Sequence, residues 1–304
     1  MIKVFGHKAP DTDATGSAII WSWFLETKEL EATPYVLGTP NTEAAFVLNR
    51  WGYDTPALLE DVNADDMVVI VDTNNPAELP EHINDATIIE IIDHHMLVGG
   101  LKTNQPINVT IEPVASTATV IANMMGEELA TAPDAIKGMI LSCILSDTLE
   151  FRSPTTTEVD VEIAQELAAE LDLDIAAYAA EMFAAKSDVS HFTDAELLRL
   201  DSKQFDVGDA KFRVSVLETT SPETVLSRKS SLIAEMTAVA SEDGVDQVLL
   251  FVVDILNEEA TLLIPNDMVK QIAEKSFEAK VTGDVVVLPG IVSRKKQIIP
   301  SLKM

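Results

Sequence analysis

Short apolar runs rich in β-branched residues mark the strands of the first half of the chain. They occupy residues 2–6, 33–37, 67–71 and 87–92. The run at 67–71 has no polar residue on either face, which is typical of a strand buried on both sides of a parallel sheet. Helical patterns alternate with these runs. The alternation predicts βαβ units and an α/β fold, with a mostly parallel sheet and helices on both faces.

Apolar residues recur at a spacing of three and four positions in the remaining segments of this half, which indicates helices. In the first of them, Ile19, Ile20, Trp23 and Phe24 share one face. Gly52 follows another and is a predicted helix stop. Helices are expected over residues 13–28, 42–50, 116–125, 135–145, 159–171 and 175–185.

The second half of the chain has a different pattern, typical of a smaller α+β domain. Two hairpins are predicted, and the first of them turns at Gly208-Asp209. A long helix separates the hairpins, and a shorter helix and a strand follow them. The expected elements are strands at 204–207, 211–218, 247–256, 260–264 and 285–288, and helices at 222–240 and 268–277.

A length of 304 residues is sufficient for two domains. The helical pattern is interrupted at residues 186–193, where the sequence begins Lys-Ser-Asp-Val-Ser. We therefore predict one domain over residues 1–187 and a second over residues 193–304, with the segment between them acting as a hinge.

The chain is strongly acidic, with a formal net charge of -29 and a pI near 4.3. This charge disfavours a nucleic-acid backbone or an anionic membrane surface as the main partner. The single cysteine, Cys143, excludes an internal disulfide and fits a reducing compartment. The chain enters its first strand directly, without a signal-peptide pattern, and no apolar run reaches the ~18 residues of a membrane span. We therefore expect a cytoplasmic protein.

Histidine and aspartate residues stand at the ends of four predicted elements, although the chain has only five histidines. Ligands of open parallel sheets bind beyond the carboxyl ends of the strands, so residues that follow three strands are expected on one rim. The fourth group follows a helix and reaches this rim only if the fold brings it there. The residues are His7, Asp11 and Asp13 after the first strand, Asp72 after the run at 67–71, Asp93, His94 and His95 after the run at 87–92, and Asp147 after the helix at 135–145.

These residue types favour a pair of divalent metal ions. Carboxylates with a few imidazoles and no thiolate suit Mn²⁺, with Co²⁺, Fe²⁺ or Zn²⁺ as alternatives. The carboxylate of Asp72 could bridge two ions, and such a pair makes hydroxide available near neutral pH. Two divalent ions would also balance the charges of Asp11, Asp13, Asp72 and Asp147. Sites with two metal ions most often cut phosphate bonds.

A polyanionic substrate needs further positive charge, and basic residues are scarce in this chain. Arg294, Lys295 and Lys296 stand together near its C-terminal end. Arginine binds phosphate oxygens in a bidentate manner, and lysine adds a point charge. Lys203, before the first hairpin of the second half, is a weaker candidate.

Each of these residues, taken alone, also has a simpler structural explanation. Asp11 or Asp13 could cap the following helix. Asp147 could be a cap or an ion-pair partner, either histidine of the pair could be structural, and the basic tail could be solvated. The joint placement of all these residues at matching element ends favours the metal site. His82 and His191 match no such pattern.

The motifs resemble, in their order and spacing, those of the DHH phosphoesterase superfamily, and within it the family II, manganese-dependent inorganic pyrophosphatases. The resemblance covers nearly the whole chain. Ala9 stands where an asparagine is usual, and Ala115-Ser116 where Gly-Cys is usual. The motifs are Gly6-His7-x-x-Pro10-Asp11-x-Asp13, Val71-Asp72-Thr73-Asn74, Asp93-His94-His95, Glu112-Pro113-Val114 with Thr117-Ala118-Thr119, Ser146-Asp147-Thr148, and Ser293-Arg294-Lys295-Lys296-Gln297.

This resemblance implies a DHH-type catalytic domain, a smaller DHHA2-type domain and an active site in the cleft between them. It implies two Mn²⁺ ions per subunit, with Co²⁺ possible, an additional Mg²⁺ that arrives with the substrate, and a homodimer. Asp72 would bridge the ions, His95 would also protonate the leaving phosphate, and Asp93 would orient a histidine. The implied metal ligands are His7, Asp11, Asp13, Asp72, His94 and Asp147, and the implied catalytic and phosphate-binding residues are His95, Lys203, Arg294 and Lys295.

The implied reaction is hydrolysis of inorganic pyrophosphate to two phosphates, by in-line attack of a hydroxide that bridges the two metal ions. A short-chain exopolyphosphatase or an oligonucleotide phosphodiesterase of the same superfamily is the alternative. The glycine-rich, histidine-containing motif of the oligonucleotide-cleaving relatives is not found in this sequence, whereas polyphosphatases share the basic tail. A non-catalytic metal- or phosphate-binding regulator is a third hypothesis.

Overall fold

The computed structural model describes residues 1–208 and 210–303, and the chain divides into two compact units, Met1–Ala185 and Lys186–Met304. Asp209 of the predicted Gly208-Asp209 turn lies outside the described residues. No helix within the described ranges is long and apolar enough to cross a bilayer. The domain limits at 187 and 193, the hinge and the cleft stay predictions.

The first unit contains a parallel sheet, as the sequence predicts, and this sheet has six strands. Its strands are β1 (Ile2–Phe5), β2 (Ala32–Val36), β3 (Ala57–Leu58), β4 (Met67–Val71), β5 (Thr87–Asp93) and β6 (Asn108–Ile111). Its helices are α1 (Thr12–Thr27), α2 (Thr42–Trp51), α3 (Thr117–Met125), α4 (Asp134–Thr148), α5 (Glu158–Glu170) and α6 (Ile175–Lys186), with 3₁₀ turns at Pro76–Glu78 and Gly126–Thr131. The short strands β3 and β6 were not predicted, and α4 continues three residues beyond its predicted end.

The strand order β3-β2-β1-β4-β5-β6 places a topological switch point between β1 and β4. Both β2 and β4 pair with β1 in parallel. Connections leave the switch point in opposite directions, which opens a crevice beyond the carboxyl ends of the two central strands. The segments that follow β1 and β4 begin with His7 and Asp72, so the order of the strands brings these two residues together.

Helix α1 is buried on nearly all sides, so its buried surface is wider than the single apolar face that the sequence predicts. Ala14, Ala18, Trp21 and Leu25 are buried along with Ile19, Ile20 and Phe24 of that face, whereas Trp23 is partly exposed. The helix contacts β1, β2 and β4 of the sheet and packs against α3 and α4. A helix that is buried on nearly all sides lies in the interior of its domain. Its amino end, and the aspartates there, are therefore carried into the core.

Gly138 of α4 lies against the indole ring of Trp51, so tightly that a Cβ atom would stand 2.2 Å from Cε2 of the ring. The ring cannot easily move, because its Nε1 donates hydrogen bonds to Ser142 Oγ at 3.1 Å and to Tyr178 Oη at 2.9 Å.

We predict that Gly138→Ala destabilises the first unit. Replacing glycine by alanine inside a helix normally stabilises it by about 0.5–1 kcal/mol. Here the clash with the Trp51 ring should cost about 1–3 kcal/mol, so the substitution should lower the free energy of unfolding rather than raise it. Chemical denaturation of the wild type and the variant measures the difference in the free energy of unfolding. An unchanged or higher stability would contradict the tight contact.

The second unit contains a mixed sheet of five strands, in the order β11-β10-β9-β8-β7. Among the described residues of this unit, β8 and β9 form the only parallel pair, and the antiparallel pairing of both predicted hairpins is confirmed. The strands are β7 (Ser202–Val207), β8 (Ala210–Thr219), β9 (Gln247–Asp254), β10 (Glu259–Leu263) and β11 (Val285–Pro289). The helices are α7 (Asp194–Leu197), α8 (Glu223–Leu226), α9 (Lys229–Asp243), α10 (Asp267–Phe277) and α11 (Ile299–Ser301), with a π-helical turn at Arg294–Ile298.

The long helix predicted over 222–240 is wrong, because the chain forms α8 and α9 with a break at Ser227 and Arg228. Arg228 has a φ of -96° and a ψ of 6°, outside the α-helical region. Its guanidinium group donates from Nε to Asp194 Oδ1 at 3.0 Å and from Nη1 to the carbonyl oxygen of Val189 at 3.1 Å. These contacts hold the Arg228 side chain against residues 189–194, and hydrophobic periodicity alone does not reveal them.

Candidate metal centre

His7 and Asp11 lie in the segment that joins β1 to α1. The Nε2 atom of His7 is 3.6 Å from Asp11 Oδ2 and 3.4 Å from Asp72 Oδ2. Asp11 is also the N-cap of α1, because its Oδ1 accepts a hydrogen bond from the backbone N–H of Ala14 at 3.0 Å. The capping explanation and the ligand explanation are therefore compatible, since the two oxygens face different groups.

Asp72 stands at the centre of the arrangement and is 1% exposed. It follows β4 with a φ of 59°, in the left-handed region, and its N–H donates to the carbonyl oxygen of Ile92 at 2.9 Å. One carboxylate oxygen lies 3.4 Å from His7 Nε2, and the other lies 3.4 Å from His94 Nε2. Each oxygen thus faces a different imidazole, which is the arrangement expected of a carboxylate shared between two ions.

Asp93 is fully buried and orients the two histidines that follow it. Its Oδ1 accepts from the backbone N–H groups of His94 at 2.8 Å and His95 at 3.1 Å, and lies 2.8 Å from His95 Nδ1. Asn74 donates to the other oxygen at 2.6 Å. The Nδ1 atom of His94 lies 3.2 Å from the carbonyl oxygen of Val114, which directs its Nε2 to Asp72.

Asp13 is buried in the first turn of α1 and faces the amino end of α3. It accepts from the N–H groups of Thr117 at 2.6 Å and Ala118 at 3.1 Å, and from Ser116 Oγ at 2.9 Å. The positive end of a helix dipole stabilises a carboxylate in this position. The sequence did not predict these donors, although Ser116 is one of the three residues that depart from the family pattern.

Asp147 lies in the last turn of α4, and the fold does bring it to this rim. Its Oδ2 is 3.9 Å from His94 Nε2. Among the described residues, three groups have ligand atoms that all lie within 4.8 Å of one another. They are His7, Asp11 and Asp72; Asp13, His94 and Asp147; and Asp72, His94 and His95.

The pKa values of this cluster show the strength of its electrostatic interactions. Burial alone would lower the pKa of His7 and His94, but the neighbouring aspartates raise it to about 10 for His7 and to about 9 for His94. Burial and the charge of Asp72 raise the pKa of Asp13 to about 7, and burial and the charge of Asp13 raise that of Asp147 well above its usual range. The two histidines lower the pKa of Asp72 despite its burial.

We predict that metal binding releases protons and strengthens as pH rises. In the metal-free protein, the raised pKa values keep His7 and His94 protonated at neutral pH. A metal ion binds only the deprotonated imidazole, so each displaced proton should raise the apparent affinity about tenfold per pH unit. Titration calorimetry with Mn²⁺ between about pH 6 and about pH 8, in buffers of different ionisation enthalpy, measures both effects. Affinity that stays constant over this range would contradict the arrangement.

The remaining predicted site residues lie in the second unit. Lys203 is in β7 and is exposed, as is Lys295. The guanidinium group of Arg294 donates from Nη2 to Asp201 Oδ1 at 2.8 Å and from Nη1 to the Asp201 carbonyl oxygen. The two unassigned histidines have structural partners, because His82 pairs with Asp61 and His191 stacks on Phe192.

The residues of the first unit fit divalent metal ions. Four carboxylates and three imidazoles converge, with no thiolate among them, and this donor set suits manganese and similar ions. Burial of like charges raises the pKa of two of these carboxyl groups, and a cation would relieve this repulsion.

The Asp-His-His motif beyond a parallel sheet and the separate mixed sheet define a phosphoesterase of the DHH class. The model of the DHH family, N-terminal domain, matches residues 1–148, and that of the DHHA2 domain matches residues 180–304.

Similar proteins identify the family within this class. The chain is 40% identical to a Deinococcus radiodurans protein named "Probable manganese-dependent inorganic pyrophosphatase", over 100% of this chain and 98% of the relative. A Bacillus licheniformis protein of the same name is 36% identical, over 99% and 97% of the two chains. The chain belongs to the manganese-dependent, or family II, inorganic pyrophosphatases.

Solved structures agree with this membership. A crystal structure from Methanococcus jannaschii, assigned to the family II inorganic pyrophosphatases, is 33% identical, with a TM-score of 0.62 over 99% of this chain and 98% of that chain. An exopolyphosphatase-related protein from Bacteroides fragilis is 14% identical, with a TM-score of 0.53 over 98% of this chain and 89% of that chain, and shares the fold.

Proposed function

We propose that this protein hydrolyses inorganic pyrophosphate to two phosphates with the help of manganese. The observation that carries the proposal is the buried carboxylate of Asp72, which presents one oxygen to His7 and the other to His94 at 3.4 Å each. Membership in the manganese-dependent inorganic pyrophosphatases supports the choice of substrate.

Two metal ions would be held by the residues that converge at the carboxyl end of the sheet. His7, Asp11 and Asp72 would hold one ion. Asp13, His94 and Asp147 would hold the other, with Asp72 shared between them. Bound ions would neutralise phosphate oxygens and lower the pKa of a bound water. We propose two Mn²⁺ ions, with Co²⁺ as a substitute and a further Mg²⁺ that enters with pyrophosphate.

His95 would donate the proton that the leaving phosphate needs. Its Nδ1 is 2.8 Å from Asp93 Oδ1, and this contact fixes the ring and directs Nε2 away from Asp93. The hydrogen bond to Asp93 raises the pKa of His95, so the imidazole carries a proton more readily near neutral pH. The side chain is 53% exposed and can therefore be reached by a substrate.

Arg294, Lys203 and Lys295 would bind the phosphate oxygens. Arginine offers paired N–H donors that match a phosphate, and the lysines add charge. The net charge of -29 leaves the rest of the chain poorly suited to a nucleic acid or an anionic membrane. We further propose that the protein acts in the cytoplasm as a homodimer.

We predict that metal-stripped protein regains pyrophosphate hydrolysis with Mn²⁺ or Co²⁺ and little with Mg²⁺ alone. The carboxylate–imidazole donor set favours the transition ions. Phosphate release after addition of each ion in turn measures this. Asp72→Asn is the control, because it keeps the shape of the side chain but loses the charge shared by the two sites, and it should stay inactive with every ion.

The same assay separates the rival substrates. Pyrophosphate, tripolyphosphate and a dinucleotide would be compared at equal concentration. Faster turnover of tripolyphosphate would favour an exopolyphosphatase, and turnover of the dinucleotide would favour a phosphodiesterase. Metal binding without hydrolysis of any of the three would favour a non-catalytic regulator.

We predict that Arg294→Ala raises the KM for pyrophosphate while both Mn²⁺ ions remain bound. Loss of a charge-assisted bidentate contact should cost about 1.5–3 kcal/mol, or roughly a 10- to 150-fold change in kcat/KM. Steady-state kinetics and Mn²⁺ titration would be measured on the same preparations. Lys275→Ala removes an exposed positive charge from α10 and is the matched control. Unchanged kinetics in Arg294→Ala would refute the phosphate contact.

A further inference from the structure

Glu43 is a fully buried carboxylate in the first turn of α2, close to the metal centre but outside the ligand set. A buried carboxylate is costly unless hydrogen bonds compensate for its lost hydration. Helix α2 is fixed at this end, because Asn41 caps it and donates its backbone N–H to the carbonyl oxygen of Pro10 at 3.0 Å. Glu43 therefore projects from a helix end that is already attached to the segment carrying Asp11.

One oxygen of Glu43 accepts hydrogen bonds from two separate helices. Thr12 Oγ1 donates to Glu43 Oε1 at 2.6 Å, and Ser146 Oγ donates to the same atom. Thr12 begins α1 and stands between Asp11 and Asp13, whereas Ser146 directly precedes Asp147 near the end of α4. Glu43 Oε1 therefore links α1 to α4 through two residues that are each adjacent in sequence to an aspartate of the metal centre.

The two aspartates of this group differ in how firmly they are held. Asp13 accepts four hydrogen bonds, three from the start of α3 and one from Ser17 Oγ at 3.2 Å. Asp147 lies 3.9 Å from His94, beyond hydrogen-bond distance. Its neighbours at the site are the carboxyl group of Asp13 and the ring of His94, not the backbone donors that hold Asp13. Its position therefore depends on where the end of α4 is held.

We infer that Glu43 is a positioning residue that ties the end of α4 to the start of α1 and so sets Asp147 opposite Asp13 for one of the two metal ions. This inference rests on the proposed metal-binding roles of Asp13 and Asp147. Glu43 acts through Thr12 and Ser146 and contributes no ligand atom. The ion held by His7, Asp11 and Asp72 depends on it much less, because the N-cap hydrogen bond holds Asp11 independently.

The test compares Mn²⁺ binding by wild type, Glu43→Ala and Glu43→Gln, with free Mn²⁺ followed by electron paramagnetic resonance. Glu43→Ala should weaken one Mn²⁺ by about 10- to 100-fold, the usual effect of removing a residue that orients a ligand, and the other by less than about threefold. Glu43→Gln retains an oxygen that accepts from both hydroxyl groups and should restore binding to within about threefold. Glu90→Ala is the matched control, because Glu90 accepts from Trp21 of α1 at 2.9 Å, and Trp21 is not adjacent in sequence to any of the proposed ligands.

Ser146→Ala covers the case in which Glu43→Ala does not fold. It removes only the donor beside Asp147 and should weaken the same Mn²⁺. Equal binding constants in Ser146→Ala and wild type would overturn the inference, as would lower thermal stability of Glu43→Ala without a change in either constant. Equal weakening of both ions in Glu43→Ala would also overturn it. Wild type that binds no Mn²⁺ would instead refute the proposed function.

Discussion

The mutual repulsion of buried carboxylates at one end of a parallel sheet is the constraint on which the first unit depends. Asp13, Asp72 and Asp147 lie around His94, and burial together with repulsion between the carboxylates raises the pKa of Asp13 and Asp147. The fold does not separate these carboxylates but surrounds them with hydrogen-bond donors and imidazoles, which reduces their repulsion. The amino end of α3 faces Asp13, and two imidazoles flank Asp72. Negative charge still exceeds positive charge in this arrangement, and a divalent cation would neutralise the excess.

The order of the strands determines which residues share this end of the sheet. Since β1 and β4 are neighbours, residues 65 positions apart in sequence, His7 and Asp72, come into contact without any long loop. The rest of the cluster arrives on elements that pack against this centre: β5 beside β4, and α1 against α3 and α4. The buried helix α1 is the element that makes this possible, because it carries Asp13 into the core.

The sequence was sufficient to predict the strands β1, β4 and β5 and the convergence of the His and Asp residues that follow them, because an apolar run followed by a polar motif is a local signal. It was not sufficient for groups whose role arises only from tertiary contacts. Glu43 has the sequence pattern of an ordinary acidic residue in a first helical turn, and only packing buries it beside Thr12 and Ser146. The backbone donors at Thr117 and Ala118 carry no residue-type signal at all. The break between α8 and α9 depends on the contacts of Arg228, which hydrophobic periodicity does not encode.

Asp72 combines a carboxylate with a left-handed backbone, at a φ of 59°. Aspartate, asparagine and glycine are the residues that adopt this region at low cost, and only the first of them carries a charge. Asparagine would keep the conformation but lose the charge. Glutamate would keep the charge and can adopt a positive φ, as Glu29 does at 62°, but its extra methylene would move the carboxylate away from the two imidazoles. Redesign of the metal preference of this centre is therefore better directed at the residues around Asp72.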